Sequence, residues 1–252
     1  MQSPLTQATA DRIESALTLA AESRVAHIAA LEGNPLSIEM RAWSSVRATP
    51  VRRSVFYYPV FNAIRNVASG CEDELDEALS WFKSEGVACD VCLSPFRADQ
   101  RLLAHLADRG LRIERFMSVL FAEAPFTTTP GPDMQVFEDK DGFVQVWLVG
   151  SPAGESTVLE PLVRAEFAEW RCYVTRVAIE PVAMAGLHIQ DRVAVMASAS
   201  TLPQHHGRGY QAALLQRRIK DAAAAGCELV VSQAAPNFQS QRNMERAGLR
   251  TA

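Results

Sequence analysis

Apolar residues between Thr9 and Leu31 (Ile13, Leu17, Ala20, Ala21, Val25 and Ile28) recur every three or four positions. That spacing predicts a helix with one apolar stripe, ended by Gly33-Asn34-Pro35. Two runs rich in β-branched and aromatic residues follow, LSIEMRAWSSVRA and RRSVFYYPVFNAIRNVA, and read as strands. Tyr57, Tyr58, Phe61 and Asn62 in the second run are candidates for lining a pocket, against the commoner use of such residues in sheet packing. From Glu72 the period turns helical again, with Leu75, Ala78, Leu79 and Phe82 on one face, acids in the first turn and Gly86 as C-cap. ACDVCLSPF then predicts a strand, ADQRLLAHLADRG a helix between Asp99 and Gly110, and RIERFMSVLFAEA another strand. PFTTTPGPDM is the best linker in the chain and divides it into domains 1–125 and 133–252.

Past the linker, MQVFEDKDGFVQVWLV and RCYVTRVAIEPVAMAGLHI suggest strands, with a helical stretch around Glu160 to Trp170 between them. RVAVMASASTLP is an apolar strand, QHHGRG a loop, and YQAALLQRRIKDAAAAG an amphipathic helix. The strand CELVVSQAA and the helix NFQSQRNMERAGL close the chain. The halves echo each other: helices ending at Gly86 and Gly110 match helices ending at Gly226 and Gly248, with offsets 226 − 86 = 140 and 248 − 110 = 138, as a diverged duplication produces. Where the second half has its glycine loop, the first has RNVASGCEDELDE, whose five acids would repel phosphate.

A tight strand-to-helix turn leaves the first helical N–H groups unpaired beside the positive end of the helix dipole, and Gly207 and Gly209 let an anion approach the backbone. A Walker-type P-loop is excluded because Tyr210 and Gln211 stand where Lys and Ser/Thr are needed. Gly207, Gly209 and Ala212 satisfy the dinucleotide-binding pattern G-x-G-x-x-A, but the next strand ends in Ser232 and Gln233 without the acid a ribose requires. A glycine-rich turn with no ligand is the remaining plain alternative.

The stretch resembles the acetyl-CoA loop of the GNAT acetyltransferases, Q/R-x-x-G-x-G/A before a helix. Gln204, Gly207 and Gly209 match it literally, whereas the first helical leucine, Leu214, aligns His206, Gly207, Arg208, Gly209, Tyr210 and Gln211 instead. His206 then replaces the usual Arg or Gln, and Gln211 the usual small residue; neither change removes a main-chain N–H. The resemblance runs strongly from about Val193 to Leu249 and makes the chain a tandem GNAT with a degenerate N-terminal half. It implies an α+β fold of two GNAT-like halves, each a mixed, mostly antiparallel twisted sheet flanked by helices, with the second half stopping after its last helix. Two further strands are usual there, so the N-terminal half is expected to complete the sheet or cover its edge.

By the same resemblance Ala199, Ser200 and Thr201 would meet the pantetheine arm of acetyl-CoA, residues 206–211 its diphosphate, and Asn237, Ser240 and Asn243 the cofactor from the last helix. A main-chain N–H near Ser200 would polarise the thioester. The tyrosine that often protonates the departing thiolate is replaced by Met244, which leaves water, Tyr173 or unaided departure. Glu166 and Glu169 are the candidates for the base. The implied reaction is transfer of acetyl to a primary amine of a small molecule in a ternary complex; the alternative is a non-catalytic protein that binds acetyl-CoA or a partner.

Composition adds limits. A net charge of −4, with 48% apolar and 21% charged residues, fits a globular protein and excludes general nucleic-acid binding. The N-terminus carries no signal-peptide core and no apolar run is long enough for a bilayer, so a cytoplasmic monomer or homodimer with no membrane association is expected. The five cysteines suit reduced, buried thiols; Cys89 and Cys92 lack the second pair of a zinc site, the histidines show no metal spacing, and no metal is expected.

Overall fold

A computed structural model describes residues 5–53, 61–127, 133–150 and 159–252; Tyr57, Tyr58 and the linker residues 128–132 fall outside them. The chain forms two compact units, Met1–Arg115 and Phe116–Ala252. The division therefore precedes the proline-rich stretch on which the sequence would place it.

In the first unit, helix α1 (Gln7–Ala29) is N-capped by Thr6, whose side chain accepts the Thr9 N–H. Strands β1 (Arg41–Trp43), β2 (Val46–Thr49), β3 (Ala63–Arg65) and β4 (Asp90–Val91) form one sheet in that order, with α2 (Glu72–Ser84) crossing from β3 to β4 and α3 (Gln100–Asp108) following. Its pairs are antiparallel except β3 with β4. Val46, Ile64, Leu75, Ala78, Phe82, Leu102 and Leu106 make its core.

The second unit contains β5 (Ser118–Glu123), β6 (Phe137–Glu138), α4 (Lys140–Gly150), α5 (Leu159–Glu166), β7 (Arg171–Val177), β8 (Glu180–Gln190) and β9 (Val193–Thr201). It continues with a single 3-10 turn (Pro203–His205), α6 (Tyr210–Ala224), β10 (Leu229–Ala234), α7 (Gln239–Arg246) and β11 (Arg250–Thr251). The sheet order is β11-β5-β10-β9-β8-β7-β6, antiparallel throughout except for β9 with β10. The edge expected to need cover is completed from upstream: β5 pairs with all of β10, and the chain runs one short strand past its last helix to pair with β5 in turn. The class is α+β, two mixed sheets with helices.

Two sequence expectations change. MQVFEDKDGFVQVWLV is mostly helix α4 rather than strand, because Asp139 accepts the Gly142 N–H and starts a helix whose Phe143, Val144, Val146 and Leu148 are buried. RCYVTRVAIEPVAMAGLHI is a hairpin, turned at Ala178 with φ +53°, not one strand. Among the cysteines, all free, Cys71, Cys172 and Cys227 are buried whereas Cys92 is exposed.

The repeat is visible in the helix ends. Val87 N–H to Phe82 O and Leu111 N–H to Leu106 O recur as Cys227 N–H to Ala222 O and Leu249 N–H to Met244 O. Each bond closes a C-terminal turn through a glycine at positive φ, Gly86, Gly110, Gly226 and Gly248. In both units a helix crosses between two parallel strands, β3 to β4 and β9 to β10.

A fragment starting at Phe116 should fold and melt cooperatively. One starting at Phe126 lacks β5, exposes the apolar edge Leu229–Val230–Val231, and should aggregate; light scattering and circular dichroism melts of the two fragments check this.

Candidate active site

β9 and β10 pair from Val193↔Leu229 to Met196↔Ser232 and no further, although β9 runs on to Thr201 and β10 to Ala234. The buried Ser232 hydroxyl donates to Met196 O at 2.7 Å, filling a carbonyl that the next rung of the ladder would use. The strands separate beyond it. The mouth of this gap is met by the start of α6, which follows Gly207 (φ +75°) and Gly209 (φ +86°), conformations that favour glycine. No side chain caps α6, and the first bond into it is Ala213 N–H to Gly209 O at 3.1 Å. The N–H groups of the preceding turn lack helical acceptors and add to a partial positive charge of about +0.5 at this terminus.

Side chains brace the turn without blocking it. Gln211 Nε2 donates to Ser200 O (2.8 Å) and Thr201 Oγ1 (2.9 Å), so the residue standing where a small one is usual ties α6 to the end of β9. His206 Nε2 lies 2.8 Å from Thr201 O, and since a carbonyl only accepts, that nitrogen carries the proton. Tyr210 turns into the core beside His205, leaving its main chain to the loop, and Arg208 is exposed.

One step into the sheet, the β8–β9 register slips between Met184↔Ser200 and Gly186↔Ala197. Ser198 and Ala199 thus face Ala185 alone, a β-bulge in which Ser198 has φ +51°. The bulge lies just beyond Met196, at the level where the gap opens. Sequence reasoning named Ala199 to Thr201 here but missed Ser198, which nothing in S-A-S-T distinguishes.

Of the other expected cofactor contacts, Asn237 (φ +64°) and Ser240 are exposed between β10 and the first turn of α7. Asn243 is held on α7 by Gln239 Nε2 (2.8 Å) and Arg246 Nη1 (3.1 Å), both donating to its Oδ1. Met244 packs in the core cluster, at the position equivalent to Leu106 of the first unit.

The three expected catalytic residues lie on α5, on β7 and in the turn between them. The Tyr173 hydroxyl donates to Asp221 Oδ2 at 2.7 Å. Asp221 lies ten residues, about 15 Å, along α6 from Gln211. Burial and the bond to Asp221 push the phenol's pKa up, so it stays neutral. Glu166 lies on the buried stripe of α5 with Leu159 and Val163. Glu169 is exposed, and its field acts on His188, a residue stacked on Trp170 at 5.2 Å between ring centroids. His188 pairs with Val195, three residues and so about 10 Å along β9 from Ser198.

In the first unit the corresponding place is stitched shut. Ser69 N–H donates to Arg97 O (2.8 Å), Asp99 N–H to Ser69 Oγ (2.8 Å), and the Arg97 guanidinium to Asn66 Oδ1, joining the turn after β3 to the turn before α3. The first turn of α2 carries Glu72, Asp73 and Glu74. Among the described residues of the second unit, no hydrogen bond joins the loop 204–211 to residues 233–240. Nor, among the described residues, do three or more His, Cys, Asp or Glu side chains gather as a metal site. No described helix is long and apolar enough to cross a membrane.

Residues 143–249 match the model of the acetyltransferase (GNAT) family. By fold the chain is similar to a GCN5-related N-acetyltransferase from Kribbella flavida, at TM-score 0.60 and 16% identity over 91% of each chain. It is also similar to one from Sphaerobacter thermophilus, at TM-score 0.59 and 13% identity over 100% of this chain and 91% of that one. An acetyltransferase of the GNAT family from Colwellia psychrerythraea aligns at TM-score 0.55 and 12% identity, covering 100% and 96%. A search of curated proteins gave no match. The family match thus lies within the second unit, and these solved structures are similar to the chain in fold.

Burial holds the His188 pKa below its ordinary 6.5, only partly opposed by Glu169. The stability this neutral imidazole contributes is therefore complete above pH 6.5 and is lost as pH falls below it, because the unfolded chain then binds a proton the folded one excludes. Urea midpoints should fall between pH 7 and pH 5.5 by less in His188→Leu than in the wild type, the difference being bounded by ~1.4 kcal/mol per pH unit.

Proposed function

We propose that the second unit is an acetyl-CoA-dependent N-acetyltransferase, cytoplasmic and monomeric or homodimeric, which moves acetyl to a primary amine of a small molecule by direct attack in a ternary complex. The observation that carries this reading is the gap between β9 and β10 set against an uncapped helix terminus, in a segment that matches the GNAT family. The residues fit the cosubstrate: main-chain N–H groups of residues 206–211 suit a diphosphate, a Cβ added at Gly207 would have open space around it, and Asn237 and Ser240 are exposed on the far side of the gap.

When bound, acetyl-CoA supplies the activated acyl group, and Ala199, Ser200 and Thr201 border its pantetheine arm. Leu202 N–H donates to Val182 O (2.9 Å), so by strand alternation the main chain of Thr201 faces away from β8 and toward the gap. A main-chain N–H of the bulge meets the carbonyl oxygen as it gains charge, an effect on the order of 3 kcal/mol when preorganised. Attack by the amine nitrogen would form the bond to the carbonyl carbon as the carbon–sulfur bond breaks, and the nitrogen would give up one proton to water. With Met244 in the core and Tyr173 held by Asp221, the sulfur leaves as thiolate and takes its proton from water, tolerable for a thiol of pKa about 8.5. The acceptor enters as its free amine, with the nitrogen lone pair already available for attack.

The second reading, a protein that binds acetyl-CoA without turning it over, is favoured by the same Met244 and Tyr173. Calorimetry with acetyl-CoA should give one site per chain, since the first unit's gap is closed by its own bonds. Gly209→Ala, which strains a φ of +86°, should weaken that binding by roughly tenfold, for a strain of ~1–2 kcal/mol. With a panel of amines, sustained release of free thiol supports transfer, and kcat/KM should rise with pH toward the acceptor's own ammonium pKa. Tight binding with no thiol release would favour the binding protein, and no heat at all would end both readings.

A further inference from the structure

Arg218 of α6 is 1% exposed, yet carries a guanidinium. Its Nη1 donates to Gly186 O at 3.1 Å and its Nε to Leu214 O at 3.2 Å; both partners are neutral carbonyls, and among the described residues no carboxylate pairs with it. A buried cation without a counter-ion is strongly unfavourable, and an apolar side chain of similar volume would fill the same space more cheaply. Burial pulls its pKa down only to about 10, so the charge persists at neutral pH.

Gly186 is the residue at which the β8–β9 register slips. Gly186 pairs with Ala197 in the last regular rung before the extra residue on β9 breaks the ladder. Arg218 donates to the Gly186 carbonyl from the α6 side, while Trp170 closes the other face: a Cβ on Gly186 would lie 3.0 Å from Trp170 Cε3 and 3.3 Å from Ala197 O. The bulge is held from above and below. Without the guanidinium the rung beside the slip loses its fastening to α6, which frees Ser198 and Ala199 to leave their present conformation.

We infer that Arg218 is a positioning residue for acyl transfer: through Gly186 O it fixes the bulge at Ser198–Ala199 and so aims the main-chain donor at the thioester carbonyl. The inference rests on the acetyl-transfer reading for its catalytic consequence but not for its structural one. Its charge also lies one strand away from the segment where negative charge develops, so a cation serves better there than a neutral donor.

The test uses the full chain with Arg218→Met, Arg218→Gln and Arg218→Lys. In Arg218→Met, amide exchange at Ala197–Thr201 should quicken by about tenfold or more while that of Leu229–Val231 changes little, a local opening rather than a global one. Its kcat should fall by at least about tenfold with KM for acetyl-CoA within about threefold, a loss confined to the transition state. Arg218→Lys, still charged and able to reach one carbonyl, should recover most of both, and Arg218→Gln should recover the exchange pattern more than the rate. Unchanged exchange and kcat in Arg218→Met, or a uniform rise in exchange across the core that Lys does not reverse, would overturn the inference. If Arg218→Met does not fold, the Lys and Gln variants decide by the same readouts. Failure of the wild type to bind acetyl-CoA would count against the acetyl-transfer reading alone, because the exchange pattern of the ligand-free protein still decides the role of Arg218.

Discussion

The separation of two parallel strands is the constraint on which the second unit depends. Parallel neighbours normally pair along their common length, and β9 and β10 have the length to continue. They part at the rung where the Ser232 hydroxyl donates to Met196 O. Everything at the site follows from this. The slit is open because the ladder ends there, the α6 terminus faces it because the crossover helix starts at the top of β9, and the bulge sits at its entrance. A net hydrogen-bond contribution of about 1 kcal/mol is modest, but here it selects between two arrangements of the same strands.

The two units show what one architecture does with different connections at that point. The first keeps the parallel pair and its crossover helix, then bonds Ser69 to Arg97 and Asp99 across the opening and sets three acids at the helix start. By the repeat offsets, Ser69 corresponds to Gly209 and Asp99 to Asn237. The same two positions hold a glycine in αL and an exposed amide in one unit, and a serine bonded to an aspartate main chain in the other. A hydroxyl and a carbonyl suffice to close what the glycine leaves open.

Much of this could be read along the chain, because the signals are local. The glycine loop, the helix cap at Asp99, and the repeat in D-R-G-L-R and R-A-G-L-R all depend on residues within one turn of each other. What stayed hidden depends on partners far away in sequence. Residues 140–150 carry the valines and aromatics of a strand, and only Asp139 at the cap starts a helix. The bond from the Tyr173 hydroxyl to Asp221 joins residues 48 positions apart, which no local pattern signals. The bulge could not be read, since it is a property of two strands in register. Arg218 is an intermediate case: it stands four residues from both Leu214 and Ala222, on the apolar stripe of α6, and a charge on that stripe was a legible anomaly.

The placement of β5 bears on how the second sheet comes into being. Leu229 pairs with Glu123 and Arg250 with Phe121, so the strand that fills the middle of one flank is synthesised long before either neighbour exists. Such high contact order slows folding and leaves an apolar segment, Val119–Leu120–Phe121, waiting without a partner as the chain emerges from the ribosome. Completion of the sheet must await β10 and β11, which makes residues more than a hundred positions downstream a condition for the assembly of β5.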